Sequence, residues 1–180
     1  MIACYVSGKG MNATERTWSF KVSVIELLEN SGIGYDTRFK YYQSQYPSLG
    51  ILELARKICE PVEYYDKDWE HYLAQQADIP PDPMKLVEFW LARDLKFQQE
   101  ARVAIVCFDE AGLGTGVNMM RFIGQKKSVL GFYHRDKSRR KVNITNVLQL
   151  EYKYPDQVEL SDYESNAEIT DRVLSWLSSR

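Results

Sequence analysis

The apolar run Val103 Ala104 Ile105 Val106 Cys107 Phe108 leads through Asp109 and Glu110 into Gly112 Leu113 Gly114 Thr115 Gly116 Val117 Asn118, an order of residue types that suits the capture of an anion. Three glycines at alternate positions can take positive φ and let a ligand approach the backbone closely. A helix starting there offers unpaired N–H groups to a phosphate or a sugar oxygen. The same spacing also serves simply to turn a strand into a helix, so the loop alone leaves ligand site and plain connection both open. A second loop, Ser7 Gly8 Lys9 Gly10, follows the apolar Ile2 Ala3 Cys4 Tyr5 Val6 and adds a hydroxyl and a positive charge. Phosphate is expected between the two loops. Asp109 and Glu110 have the chemistry to activate water, although carboxylates that follow a strand more often just face solvent.

These loops need a scaffold that brings them together. Residues 14–29 predict a helix with Phe20, Val22, Val24, Ile25, Leu27 and Leu28 on a wide apolar face, Asn12 and Glu15 at the spacing of a capping box, and Gly32 and Gly34 to stop it before a short strand at 33–37. Residues 39–79 are irregular, with Tyr41, Tyr42, Tyr46, Tyr64, Tyr65, Trp69 and Tyr72 broken by Pro47 and Pro61. They read as an insertion with one or two short helices that covers a site or a subunit surface. Its amphipathic rings suit base stacking, and equally the packing of an irregular segment onto a core. Asp82 as N-cap and Pro83 at the first turn open a helix toward Gln99 that carries Leu86, Phe89, Trp90, Leu95 and Phe97, with Asp94 among them.

Beyond the glycine loop come a helix ending at Gly124, a buried strand at 128–133, a basic turn (Arg135, Lys137, Arg139, Arg140, Lys141), a weakly helical stretch at 143–151 and a strand at 158–160. Ser165 and Glu168 then form a capping box for a terminal helix. Alternating strands and helices with near-continuous apolar strands imply an α/β fold with a parallel sheet covered on both faces, in one domain over residues 1–180. Ligands of such sheets bind at the strand C-terminal ends, where residues 7–10 and 109–118 fall.

Composition narrows the partners. A net charge of −2 over 180 residues leaves no electrostatic footprint for a nucleic-acid polymer, and no apolar run is long enough to span a membrane. Cys4 and Cys107 sit in apolar strands and the total of three is odd, so free buried thiols and a cytoplasmic location are expected. The N-terminal stretch reads as a first strand rather than a signal peptide. His71 and His134 lie far apart with no cysteine at ligand spacing, which argues against a metal site.

The segments Arg93 Asp94 Leu95, 101–106, Gly112 to Asn118 and 127–133, together with Tyr5 Val6 Ser7 Gly8 and Asp162 Tyr163 Glu164, resemble the nucleoside 2-deoxyribosyltransferase superfamily, closest to its deoxynucleoside monophosphate N-glycosidase branch. The resemblance implies a flavodoxin-like (Rossmann-like) three-layer sandwich, a homodimer or larger symmetric assembly, no cofactor, and cleavage or exchange of an N-glycosidic bond. It implies that Asp94 handles the proton on the base and that Ser7, Gly8, Gly112, Gly114 and Gly116 hold sugar and phosphate. Lys9 adds charge beside them. Asn118 stands where the motif has the glutamate that attacks the anomeric carbon. A neutral amide is a poor nucleophile and gives no charge to the developing oxocarbenium ion. Asp109 or Glu110 acting as a base on water, as in inverting glycosidases, is the rescue the sequence offers. The leading expectation is a nucleoside or nucleotide binder with altered or weak cleavage. The alternatives are a catalytically silent nucleotide sensor and a protein whose glycine loop merely turns the chain.

Overall fold

The computed structural model describes residues 1–9, 13–59 and 83–180. Five strands, β1 (Ile2–Ser7), β2 (Gly34–Asp36), β3 (Val103–Cys107), β4 (Ser128–His134) and β5 (Val158–Tyr163), form one all-parallel sheet in the order β2-β1-β3-β4-β5. Seven helices flank it among the described residues: α1 (Glu15–Ser31), α2 (Phe39–Gln45), α3 (Ile51–Cys59), α4 (Pro83–Glu100), α5 (Leu113–Gly124), α6 (Ile144–Lys153) and α7 (Asn166–Ser178). This is the three-layer, flavodoxin-like sandwich that the strand pattern and the resemblance led us to expect.

The period-two geometry of the strands divides the core. Cys4, Val6, Ile105, Cys107 and Phe132 point to the layer of α1, α2, α3 and α7, where Phe20, Ile25, Leu54 and Trp176 meet them. Tyr5, Ala104, Val106, Phe108 and Val129 point to the layer of α4, α5 and α6, where Phe97, Met119, Phe122 and Val147 meet them. Burial on both faces explains why β3 and β4 read as unbroken apolar runs. β5 extends three residues past the expected 158–160. Its polar Ser161 and Asp162 fit an edge strand and weakened the apolar signal there.

Helix ends follow local chemistry. Gly32 stops α1 at φ +68°, a left-handed position that favours glycine. Ser165 caps α7 by accepting from the Glu168 N–H at 3.4 Å. Asn12, Asp82 and the part of the insertion from 60 to 79 lie outside the described residues. The start of α1 is capped instead by Glu110, ninety-odd positions downstream, whose Oε2 accepts the Thr14 N–H at 2.7 Å. α4 begins at Pro83 as expected, with Phe97 buried and Leu95 half-buried. All three cysteines are buried and none is in a disulfide. Among the described residues no helix is long and apolar enough to cross a membrane, and no cluster of metal-ligating side chains occurs.

Candidate functional site

In this strand order the chain leaves β1 and β3 toward opposite faces of the sheet, and the crevice between their C-terminal ends is the switch point at which such folds bind ligands. A cleft of about 230 Å³ occupies that place. The loop after β1 contributes Ser7, Gly8 and Lys9, and the start of α5 contributes Gly112, Gly114, Thr115 and Asn118. α4 adds Arg93 and Asp94, while Lys21 of α1, Arg38 after β2 and Cys59 of α3 complete the opposite wall.

The glycine loop works differently from the expectation of positive φ. Gly112 is extended and serves as N-cap of α5 with no side-chain capping bond, and Gly32 is the one described glycine with positive φ. A Cβ placed on Gly112 or Gly114 meets no protein atom within 4 Å. The missing side chains therefore leave space rather than relieve backbone strain. The first-turn N–H groups of α5, with the positive end of the helix dipole, open onto that space.

Electrostatics favour an anion. The Arg38 guanidinium is locked against Asp36, with Nε to Oδ1 and Nη2 to Oδ2 both at 2.9 Å, and Nη2 also donates to the Val6 carbonyl at 2.7 Å. Burial disfavours its charge, but the paired carboxylate more than offsets this and raises the Arg38 pKa above the ordinary arginine range. Lys21 is only 5% exposed. Its one hydrogen bond is to the Lys9 carbonyl at 3.3 Å, and no carboxylate pairs with it among the described residues. Burial, the largest cause, pushes the Lys21 ammonium below its usual range, and the Arg38 charge adds to this against the opposing influence of Cys59, Cys107 and Asp36.

On the α4 side, Asp94 is part-exposed and lies 3.6 Å from Arg93 Nη2. One turn further along the helix, buried Gln98 donates from Nε2 to Asn118 Oδ1 at 3.0 Å, and Arg121 Nη1 donates to the same oxygen at 3.3 Å. Both groups that hold Asn118 are donors, so the position presents the partners a carboxylate would accept. Asp94 and Asn118 thus reach one cleft from adjacent helices.

The other proposed site residues fall elsewhere. Gly116 turns from the cleft toward an apolar hollow bordered by Leu113, Val117, Met120 and Leu150. Asp109 and Glu110 do not line the cleft. Asp109 Oδ1 accepts the His134 N–H at 2.6 Å and Oδ2 accepts the Tyr163 hydroxyl at 2.5 Å. Glu110 Oε2 accepts from Thr14 Oγ1 at 2.7 Å and Thr17 Oγ1 at 2.9 Å, and Oε1 lies 2.7 Å from Lys141 Nζ. Burial opposes ionisation of Glu110, yet these bonds outweigh it and hold the pKa down at about 2. Both carboxylates are bound into the frame rather than free to act as a base on water in the cleft.

Lys21 and Arg38 escaped the reading of the sequence. Lys21 carried a usable signal, since it falls on the inner face of α1 with Thr17, Phe20, Val24 and Leu28. Arg38 carried none, because only the return of the chain beneath β1 brings it to the site. No family model matches this sequence, and a search of curated proteins finds no match.

Proposed function

We propose that the protein binds a nucleoside or nucleotide in this cleft through its sugar and phosphate, and that N-glycosidic cleavage by it is weak or altered because Asn118 stands in the attacking position. The uncapped start of α5 facing Lys21 and Arg38 at the switch point carries the reading, because donors and cations in excess need an acceptor-rich ligand. The resemblance to nucleoside 2-deoxyribosyltransferases and nucleotide N-glycosidases supplies the ligand class. Asp94 on the cleft wall suits proton transfer to a departing base. Three buried cysteines in no disulfide suit a reducing cytoplasm.

One observation favours a second reading, a silent nucleotide sensor. Asp94 is the one carboxylate lining the cleft among the described residues, and Asn118 is held by two donors as a neutral acceptor. A panel of nucleosides and nucleotides read by thermal shift tests binding, since a ligand at 100 times its Kd stabilises by about 2.7 kcal/mol. A flat panel overturns both readings. Free base released from a bound deoxynucleotide separates the enzyme from the sensor.

The reading includes a homodimer. Leu113, Val117 and Met120 form an exposed stripe along α5 at helical spacing, with Leu113 86% and Met120 47% exposed, beside Leu150 of α6. This stripe is a better candidate for the shared surface than the aromatic insertion, whose described rings Tyr41 and Tyr42 pack on Phe97. Met120→Lys should shift the mass by light scattering from dimer to monomer, and a wild-type monomer at all concentrations would refute the assembly.

A further inference from the structure

The proposed function uses Lys21 only as part of a basic wall, and leaves open why it is buried with no carboxylate beside it among the described residues. A lysine inside a protein normally finds a carboxylate, because desolvating an ammonium costs several kcal/mol. Lys21 has none among the described residues and makes one long bond, to the Lys9 carbonyl. Arg38, on the same cleft wall, is fixed as a cation by Asp36, whose carboxylate partly offsets its charge at Lys21. Cys59, also on that wall, is buried and in no disulfide. A desolvated amine next to a fixed cation is the arrangement that leaves a lysine nitrogen with its lone pair available at neutral pH. The lowered pKa that burial and Arg38 give Lys21 agrees with that geometry.

We propose that Lys21 is a nucleophile that captures the aldehyde carbon of a phosphorylated aldose held in the cleft, with the start of α5 receiving the phosphate. The inference rests on the anion-binding reading above and extends it to a covalent step. The Nζ lone pair adds to the C1 carbonyl of the open-chain sugar, forming the N–C bond. The carbonyl oxygen then leaves as water with both amine hydrogens, and an imine remains. Amine plus aldehyde gives imine plus water, and nothing is oxidised or reduced. Asn118 has no means to form a covalent sugar adduct, whereas Lys21 lines the same space. Ser7, Lys9 and the bare start of α5 line the same cleft and suit the hydroxyls and phosphate of such a sugar.

The test incubates the full-length protein with 2-deoxyribose 5-phosphate and cyanoborohydride, which reduces an imine to a stable amine, and maps the adduct by peptide mass. The expected result is one adduct on Lys21, forming ahead of those on the exposed lysines, saturating with sugar phosphate and suppressed by inorganic phosphate. Lys21→Arg, checked for folding by circular dichroism, should lose the adduct, with phosphate affinity measured alongside to separate loss of the nucleophile from loss of binding. Adducts spread over exposed lysines with Lys21 untouched overturn the inference. So does a Lys21 whose replacement by Met abolishes phosphate binding while the wild-type residue never forms an adduct, because it then acts only as a cation. A parallel titration with deoxynucleotides separates the two levels. Nucleotide binding with no adduct at Lys21 defeats this inference alone, and no binding of nucleotide or phosphate defeats the proposed function.

Discussion

Two regions at the C-terminal edge of the same sheet treat their polar groups in opposite ways. Around Asp109 and Glu110, four carboxylate oxygens face donors from β4, β5, α1 and Lys141, and the cluster ties four parts of the chain together. Across α1, in the cleft, the balance is reversed. Lys21 has one long bond, the first turn of α5 has no side-chain cap, and the buried Gln98 beneath Asn118 has an Oε1 without a partner. A folded chain rarely leaves buried polar groups short of partners. The carboxylate cluster is architecture, and the proposed function gives the cleft, with its nearly unpartnered Lys21 and bare helix start, a ligand to hold.

Exchanging the residue that breaks the catalytic pattern sharpens the contrast most. Asn118→Glu places a carboxylate beside the Gln98 and Arg121 donors, and release of base from a bound deoxynucleotide should rise by roughly 100-fold or more, the ~3 kcal/mol scale of one well-placed charge. Asp94→Asn in that background should suppress it. Base release followed by chromatography reads both, and no release despite proven binding would favour the sensor.

In the other region the effect falls on stability. Asp109→Ala strands the His134 N–H and the Tyr163 hydroxyl, and should cost about 3 kcal/mol in urea unfolding while leaving ligand affinity of the folded protein intact. Loss of affinity in step with stability would break the separation of the two regions. Gly114→Val should do the converse. Its Cβ meets only open cleft, so stability should hold within about 0.5 kcal/mol while nucleotide affinity falls about tenfold.

Glu110→Gln is the smallest and carries a pH signature. The folded pKa, about 2, lies below the ordinary 4.5, so the ionised carboxylate stabilises the fold fully above about pH 4.5 and loses that contribution as pH falls toward 2. The gap between wild type and variant, of order 1 kcal/mol at pH 7, should therefore shrink in acid. A gap independent of pH would mean that Glu110 acts by shape rather than charge.

The fold was legible in the sequence because its signals are local. Unbroken apolar runs marked β3 and β4, Gly32 marked the end of α1, and Ser165 with Glu168 marked the start of α7. Half of the site was legible in the same way, since Gly112, Gly114, Ser7 and Gly8 sit in loops whose chemistry is contiguous. What was not legible depends on contacts far apart in sequence. Asp109 and Glu110 looked like free loop carboxylates because their partners, Tyr163 and Thr14, are brought in only by the sheet and α1. Lys21 looked like an ordinary helix residue because its lack of a carboxylate partner among the described residues is a fact of three dimensions.

The claim that the start of α5 and the loop after β1 form an anion site is tested most directly by backbone amide chemical shifts of isotope-labelled protein titrated with inorganic phosphate and with a deoxynucleoside monophosphate. The account predicts saturable shifts at Gly8, Leu113, Gly114 and Thr115, with Thr14 and His134 in the satisfied cluster little changed. Shifts confined to the basic turn around Lys137, Arg139 and Arg140, with Leu113 to Thr115 unmoved, would contradict it.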